Sequence, residues 1–365
     1  MATAEDSAPP LEEQDDERTI PVRQTTSAGY GATKWKLESI IGMIVLAAFS
    51  AWIVASFVKG PRAFTQVLVI GLSNGALYAL IALGYTMVYG IIELINFAHG
   101  DLFMLGSVIG AISLEQWLGQ KSSSPTAWVW LAVTLLFAMA ACALINIVIE
   151  KLAYRRLRNA PKLAPLITAV GVSFILQNIG IKLNGSAPHS RFSVLPRGAF
   201  RIGPIEVRIK YIVVVAITAP LLLLMTYIVQ KTRTGKAMRA TAQDRDASLL
   251  MGINVDRIIS YVFGLGGALA GAAGVLYVQV NETTRYDAGF RLGLIAFTAA
   301  VLGGVGNLLG AVIGGVLIGV IQSLNDGAPL FLGQEWTQTV MFSILIVMVI
   351  FRPGGIFGKH QQEKV

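Results

Sequence analysis

Cysteine is almost absent from this chain, and charge is scarce. The single thiol, Cys142, lies in an apolar run, so no disulfide framework exists and the residue reads as inert packing. Only three histidines occur, His99, His189 and His360. None stands at ligand spacing from another, which argues against a metal site. A G-x-x-x-x-G-K-[ST] phosphate loop is also missing, so no ATP chemistry is expected in this chain. Charged residues make up 14% of the sequence, against about 25% in soluble domains. In their place stand 54% hydrophobic residues and 38 glycines, with a mean hydropathy of +0.64. Several apolar runs approach the roughly 20 residues that cross a bilayer. The fold class is therefore all-α: a polytopic membrane protein of about eight to ten transmembrane helices, with Gly-interrupted segments and glycine-mediated helix packing.

The charge that exists is uneven. Of 21 acids and 29 bases, residues 1–36 hold seven and four, leaving 14 acids against 25 bases in the remainder. In a membrane protein such an excess argues for basic cytoplasmic loops, not for nucleic acid. Residues 1–36 are polar and acidic and contain Pro9, Pro10 and Pro21. They lack the basic start and apolar core of a signal peptide and read as a disordered cytoplasmic tail. Residues 37–352 form the transmembrane domain, and 353–365 a cytoplasmic tail.

Spans are expected at Ser39–Val58, Phe64–Tyr89, Leu102–Leu114, Trp128–Ile149, Ala164–Ile181, Tyr211–Val229, Ile258–Val280 and Val340–Phe351. Leu292–Leu324 reads as one tilted span or as two short arms of a hairpin. Placing the basic segments 151–162 and 231–257 and the C-terminus in the cytoplasm is self-consistent with the hairpin, and the N-terminus then lies inside too. The six bases of 182–210 oppose that orientation. Each half shows a span, a Gly-interrupted hairpin and a closing span, the pattern of a duplicated transporter.

Polar residues concentrate at one place inside the apolar sequence. Glu93, Asn96, His99 and Asp101 fall within nine positions, with Gly90 before them and Gly100 among them. An ionisable group in hydrocarbon costs about 2.5–3.5 kcal/mol on insertion scales and faces a cavity, a partner or an interface. The flanking glycines would let the helix break there, and Glu93 and Asn96, three apart, can share a helix face. Two readings stand: a pathway lining or gate, or hydrogen bonds that hold a broken helix. A second break is expected at Gly303, Gly304, Gly306 and Asn307, opposite the one near Gly100. The remaining four-residue glycine spacings, such as Gly71/Gly75, read as packing. Gly71-Leu72-Ser73-Asn74-Gly75 matches a nucleophile elbow only formally, since no strand precedes it.

Residues 231–257 form a long polar insertion. Ala237–Leu250 has helical composition with both signs of charge and is closed by Gly252, so it reads either as an amphipathic helix on the cytoplasmic face or as a solvated loop. The run Asp246-Ala247-Ser248-Leu249-Leu250-Met251-Gly252 resembles the motor-contact loop of ABC importer permeases, with Asp in place of Glu and Ser in place of the second Ala. On that resemblance Arg239, Asp244, Arg245, Asp246, Ala247, Ser248 and Gly252 are the candidate coupling residues.

The likeness extends further. ALIALGYTMVYGIIELINFAHGDLFMLGS (Ala79–Ser107), VLGGVGNLLGAVIGGVLIGVIQSL (Val301–Leu324) and FRPGGIFG (Phe351–Gly358) resemble branched-chain amino acid ABC transporter permeases of the Liv-H type, over roughly residues 60–358. The acidic tail and the 182–210 loop lie outside the likeness. The resemblance implies an inner-membrane permease subunit with a second homologous permease, two cytoplasmic ATPase subunits and a periplasmic solute-binding protein. ATP and Mg would be bound by the ATPases, with no cofactor, catalytic residue or metal in this chain. Relatives of this type also carry urea, short amides and other amino acids, which remain alternative solutes. Two other classes compete: a free-standing secondary transporter with Glu93 or Asp101 relaying protons, and an intramembrane hydrolase using Ser73 and His99.

Overall fold

The chain enters its first fully described helix at Pro61, a residue suited to the first helical position because its missing N–H is not needed there. This helix, α1 (Pro61–Ile92), has 32 residues and is about 48 Å long at 1.5 Å per residue, well beyond the hydrocarbon thickness of about 30 Å. The computed structural model describes residues 51, 53–93, 96–117, 119, 126–158, 160–161, 163–202, 205–327, 332–352 and 354–358. The acidic segment 1–36, most of the expected span Ser39–Val58 and the tail beyond Gly358 lie outside them. Met1–Val54 separates as a unit of its own, of which residues 51, 53 and 54 are described, all helical.

The other unit, Ala55–Val365, continues with α2 (Ala98–Ile112), α3 (Ala127–Ile149), α4 (Leu163–Asn184) and α5 (Ile209–Lys231). Two short helices follow, α6 (Arg233–Gln243) and α7 (Arg245–Leu250), and then α8 (Val255–Asn281), α9 (Ala288–Gly303), α10 (Leu308–Gly327) and α11 (Thr337–Phe351). Seven of the described helices are long and apolar enough to cross a membrane, and α9 is a shorter apolar helix. Leu292–Leu324 is thus a hairpin. The chain is an all-α polytopic membrane protein.

Burial shows which helices are central. In α1 and α8, 72% of the most apolar window is buried, against 22% in α3 and α5 and 11% around α11. Hydrocarbon gives no hydrophobic drive between helices, so close backbone approach has to supply the packing. Glycine provides it. A Cβ on Gly75 would sit 2.7 Å from the Val316 Cα, and one on Gly319 would sit 2.2 Å from the Gly75 Cα. Rising positions on α1 (Gly71, Gly75, Ala79) meet falling positions on α10 (Val320, Val316, Gly315), so the two run antiparallel. α8 meets α3 in the same manner, Gly264 against Ile147, Gly267 against Cys142 and Gly271 against Ala138.

The two halves repeat each other with inverted direction. α1 and α8 are antiparallel, with Tyr78 near Tyr277 and Val88 near Gly266. Each ends on a glutamate in the left-handed region, Glu93 at φ 58° and Glu282 at φ 55°, and each is followed by a short helix, α2 or α9. These two short helices cross where a Cβ on Gly100 would fall 2.3 Å from the Gly289 carbonyl oxygen. The duplication expected from the sequence is present as an inverted repeat, the arrangement of many transporters.

Small strands gather at one end of the bundle. β1 (His189–Ser190) pairs with β4 (Thr283–Thr284), and β2 (Ala199–Ile202) pairs antiparallel with β3 (Ile205–Arg208). This end is opposite α6 and α7, although the segment 182–210 is basic. Three of its six bases are ion-paired: Arg191 with Glu115 at 2.6 Å, Lys210 with Glu282 at 3.2 Å and Arg201 with Glu206 at 3.9 Å.

The close approach of α1 and α10 has a measurable consequence. Gly319→Val drives methyl groups into backbone that cannot yield, and overpacking of this kind costs about 2 kcal/mol or more. The variant is expected to melt several degrees lower in mild detergent than the parent. Gly171→Val, at a position with open space around it, is expected to match the parent. Equal melting temperatures for Gly319→Val and Gly171→Val would refute the α1–α10 contact.

Candidate coupling helices and solute pathway

At the end of the bundle opposite the strands, α5 stops at Thr232, whose extended backbone and hydroxyl cap α6. The Thr232 Oγ1 accepts from the Gly235 N–H at 3.0 Å, the usual service of an N-cap threonine. The chain folds back so tightly that a Cβ on Gly235 would lie 2.2 Å from the Val229 oxygen. Arg239 also donates to that Val229 oxygen. Asp244 then interrupts the helix and caps α7, accepting from the Ala247 N–H at 3.0 Å. Ala237–Leu250 is therefore two helices and not the single amphipathic one expected, because an extended Asp at φ −156° cannot continue the first. Gly252 ends the unit at φ +79°.

The two faces of α7 differ. Ser248 is buried, and Arg245 donates to the Ile91 oxygen at the end of α1, at 2.5 Å. Burial holds the Arg245 guanidinium below the usual arginine value; the neighbouring Arg158 adds to this, and Glu93 and Asp246 oppose it. On the other face Asp246 and Ala247 are exposed. Leu249, Leu250 and Met251 follow at 56%, 89% and 82% exposure. The seven candidate coupling residues thus fall in one unit, some anchoring it and some displayed.

The polar break lies where the sequence placed it but is built differently. Neither Glu93 nor Asn96 is in a helix, so they share no helix face: α1 ends at Ile92 and α2 begins at Ala98. The break is turned by Glu93 itself, its N–H bonded to the Tyr89 oxygen at 2.7 Å. Gly100 lies inside α2 and serves the close crossing with α9 instead. Glu93 is exposed and lines a cavity of about 530 Å³ with Arg158, Asp244 and Arg245. Asn96 is buried and accepts from the Tyr154 hydroxyl at 2.8 Å. His99 is buried against Gly84, edge-on to Tyr85 with centroids 4.6 Å apart. Asp101, fully buried, accepts from Ser173 on α4, and Gln177 donates to the same hydroxyl at 3.2 Å. Asn96, His99 and Asp101 hold the broken helix to its neighbours, whereas Glu93 faces the coupling unit.

Beside it, α3 runs on through a π-helical turn, Glu150–Tyr154. Such turns displace side chains from the regular helical register. This one presents the fully buried Glu150 to Arg158 and to the Ser260 hydroxyl, while Arg158 also bonds Asp256 at 2.5 Å.

The second expected break is real and lies beside the end of α1, near Gly90, but not opposite Gly100. α9 ends at Gly303, Gly304 and Gly306 take φ +103° and +90°, and the Asn307 Oδ1 caps α10 by accepting from the Gly310 N–H at 3.1 Å. The C-terminal segment closes it. Ile356 N–H donates to the Leu302 oxygen at 2.9 Å, Phe357 N–H donates to the Gly303 oxygen at 3.2 Å, and Asn307 Nδ2 donates to the Phe357 oxygen at 2.8 Å. Gly306 neighbours Gly90, and Gly100 faces Gly289 and Gly293. The Gly-rich break is a capped hairpin bend in which Gly303 admits the close approach of Gly310 and Gly304 admits the terminal segment at Gly354 and Gly358.

Sequence reasoning missed a cavity of about 730 Å³ near the strand-bearing end, between α1, α8, α9, α10 and the start of α11. Arg291 and Asp326 line it, with Tyr78 and Gln322 bonded to each other at 2.6 Å. Arg291 reads as a loop residue when the span is begun at Leu292. Its isolation in an apolar stretch was the available signal.

The family model described as branched-chain amino acid transport system, permease component, matches residues 67–350. The high-affinity branched-chain amino acid transport system permease protein BraD of Pseudomonas aeruginosa is 39% identical over 313 residues, covering 83% of this chain and 98% of that protein. LivH of Escherichia coli K12, with the same printed description, is 37% identical at the same coverage. The ribose import permease protein RbsC of Escherichia coli K12 is 26% identical, covering 90% of this chain and 97% of its own length. With the inverted repeat and the capped helix pair in place, the chain belongs to the branched-chain amino acid transport system permease family.

Proposed function

We propose that this chain is the membrane subunit of an ABC importer that moves branched-chain or related amino acids across a bacterial inner membrane, powered by partner ATPases. The observation that carries the reading is α7. It displays Leu249, Leu250 and Met251 outside the apolar spans, while its other face is tied to the end of α1 through Arg245. An exposed apolar knob on a rigidly capped helix suits a groove on another protein. The bond to Ile91 carries displacement of that helix into the longest membrane helix.

In this reading the α6–α7 end faces the cytoplasm and two ATPase subunits. The strand-bearing end faces a periplasmic binding protein, and a second homologous permease completes the pathway. ATP and Mg are bound by the ATPases, and this chain contributes binding, alternating access and force transmission without a cofactor. The relatives' printed names support the solute class, and the α7 geometry supports the coupling.

Two variants separate docking from transmission. Leu250→Asp puts a charge where an apolar contact is needed. Loss of a hot-spot contact of about 2 kcal/mol weakens binding roughly 30-fold. The ATPase subunits are therefore expected to be lost from a mild-detergent pull-down while the permease itself folds; normal recovery of ATPases would remove the docking role. Arg245→Gln leaves the knob intact and cuts the link to α1. It is expected to keep the ATPases bound and hydrolysing while ATP-dependent leucine uptake in proteoliposomes falls about tenfold, the loss of one charge-assisted hydrogen bond. Uptake at the parental rate would show that force passes elsewhere.

A further inference from the structure

We infer that the cavity between α1, α8, α9, α10 and the start of α11 is a binding chamber for the zwitterionic head of an aliphatic α-amino acid on its way through the membrane. This rests on the import reading above and deepens it by assigning residues to the solute.

The cavity has the three chemical parts such a solute needs. Arg291 supplies a cation, and Asp326 and the exposed Glu335 supply anions, all on its wall; Arg291 and Asp326 also lie within electrostatic reach of the buried Tyr78 hydroxyl. Arg291 and Asp326 therefore face one region from the two arms of the hairpin, α9 and α10. They form no ion pair with each other, and Arg291 forms none with any described residue. Val67, Leu292 and Ile295 are buried apolar wall. At about 730 Å³ the cavity is larger than one amino acid and leaves room for retained water.

Helix stability does not explain Arg291. It stands in the first turn of α9, where a cation opposes the helix dipole. Arg291 is exposed at the start of α9, so its guanidinium is open to a solute carboxylate, which it matches through two parallel hydrogen bonds. Asp326, which accepts from Thr337 and from Asn325, is held in place with capacity left for an ammonium donor. The amide and hydroxyl groups between them, Gln322, Tyr78 and Asn74, offer further uncharged partners.

The test uses the complete importer, this chain with its second permease, ATPases and binding protein, in proteoliposomes. In a Cys142→Ala background, Gln338→Cys places one thiol on the exposed cavity rim and leaves both charges intact. Leucine is expected to slow modification of that thiol by a charged methanethiosulfonate at least fivefold. Isocaproate, which lacks the ammonium, and isoamylamine, which lacks the carboxylate, are expected not to. In parallel, Arg291→Gln and Asp326→Asn are each expected to lower leucine uptake at least tenfold while the ATPases still co-purify and hydrolyse ATP, with Arg291→Lys recovering part of it. Protection decides the matter if a charge variant fails to fold. Unaltered labelling in leucine, or equal protection by all three compounds, overturns the chamber while leaving the import reading intact as long as the parent carries leucine. A parent importer that carries no leucine is a failure of the import reading itself.

Discussion

A helix that ends within or near hydrocarbon leaves its last carbonyl oxygens without water, and each must find a donor in the protein. In this chain the donors are supplied by other elements, and they tie the bundle together. Arg245 serves Ile91 at the end of α1, Arg239 serves Val229 at the end of α5, and Lys210 serves Val280 at the end of α8 at 2.6 Å. The backbone N–H groups of Ile356 and Phe357 serve Leu302 and Gly303 at the end of α9. A cation is favoured at each such place because it also complements the negative end of the helix dipole. Every cap is at once a hydrogen bond and a joint between elements.

The joints follow the inverted repeat. At one end of the bundle Arg245, from the segment after α6, holds the end of α1. At the other end Lys210, in the first turn of α5, holds the end of α8. Both helices then turn on a left-handed glutamate, a conformation costing roughly 1–2 kcal/mol for a residue with a Cβ. That cost is carried because the glutamate N–H continues the helical bonding, to Tyr89 and to Val278. The halves differ in what stands behind the joint. Behind α1 is a capped helix with an exposed apolar tip, and behind α8 is a loop with paired strands.

Much of this was legible in the sequence because the underlying physics is local. Apolar runs gave seven of the expected spans within a few positions, while Ser39–Val58 lies largely outside the described residues and Leu102–Leu114 falls in a 15-residue helix that is not among the membrane-crossing ones. Pattern alone left 237–250 open between a helix and a solvated loop, and the resemblance to importer permeases singled out Asp246–Gly252. What was misplaced depends on tertiary contact. Gly100 looked like a helix breaker, yet its missing side chain is used for the crossing with Gly289, and the break is turned by Glu93, which no propensity favours for φ +58°. The Gly303–Gly306 bend was seen, but not the C-terminal segment that closes it, because that pairing joins residues about 50 apart. Arg291 and Asp326 lie about 35 positions apart in sequence, and only the packing of α9 and α10 around α1 brings them to one wall. A count of the six bases of 182–210 overstates their free charge, since Arg191 and Lys210 pair with Glu115 and Glu282, which belong to other elements.

The same packing connects the α7 end of the bundle to the cavity. From Ile91, where Arg245 is bonded, to Tyr78 on the cavity wall is 13 residues of uninterrupted helix, a rigid rod of about 20 Å. α1 carries α10 with it, because the Gly75–Val316 and Gly319–Gly75 contacts leave no slack between the two backbones. Tyr78, Gln322 and Asp326 therefore move as one body. Arg291 is held to the same assembly, since α9 meets α10 as closely: a Cβ on Gly314 would fall 2.1 Å from the Ala299 oxygen and one on Gly303 2.0 Å from the Gly310 oxygen. α9 is also joined to α2 through Gly289 and Gly100, and α2 to α4 through Asp101 and Ser173. Backbone contact at glycine thus fixes how the helices lining the cavity stand to one another, and with it the spacing of Arg291 and Asp326.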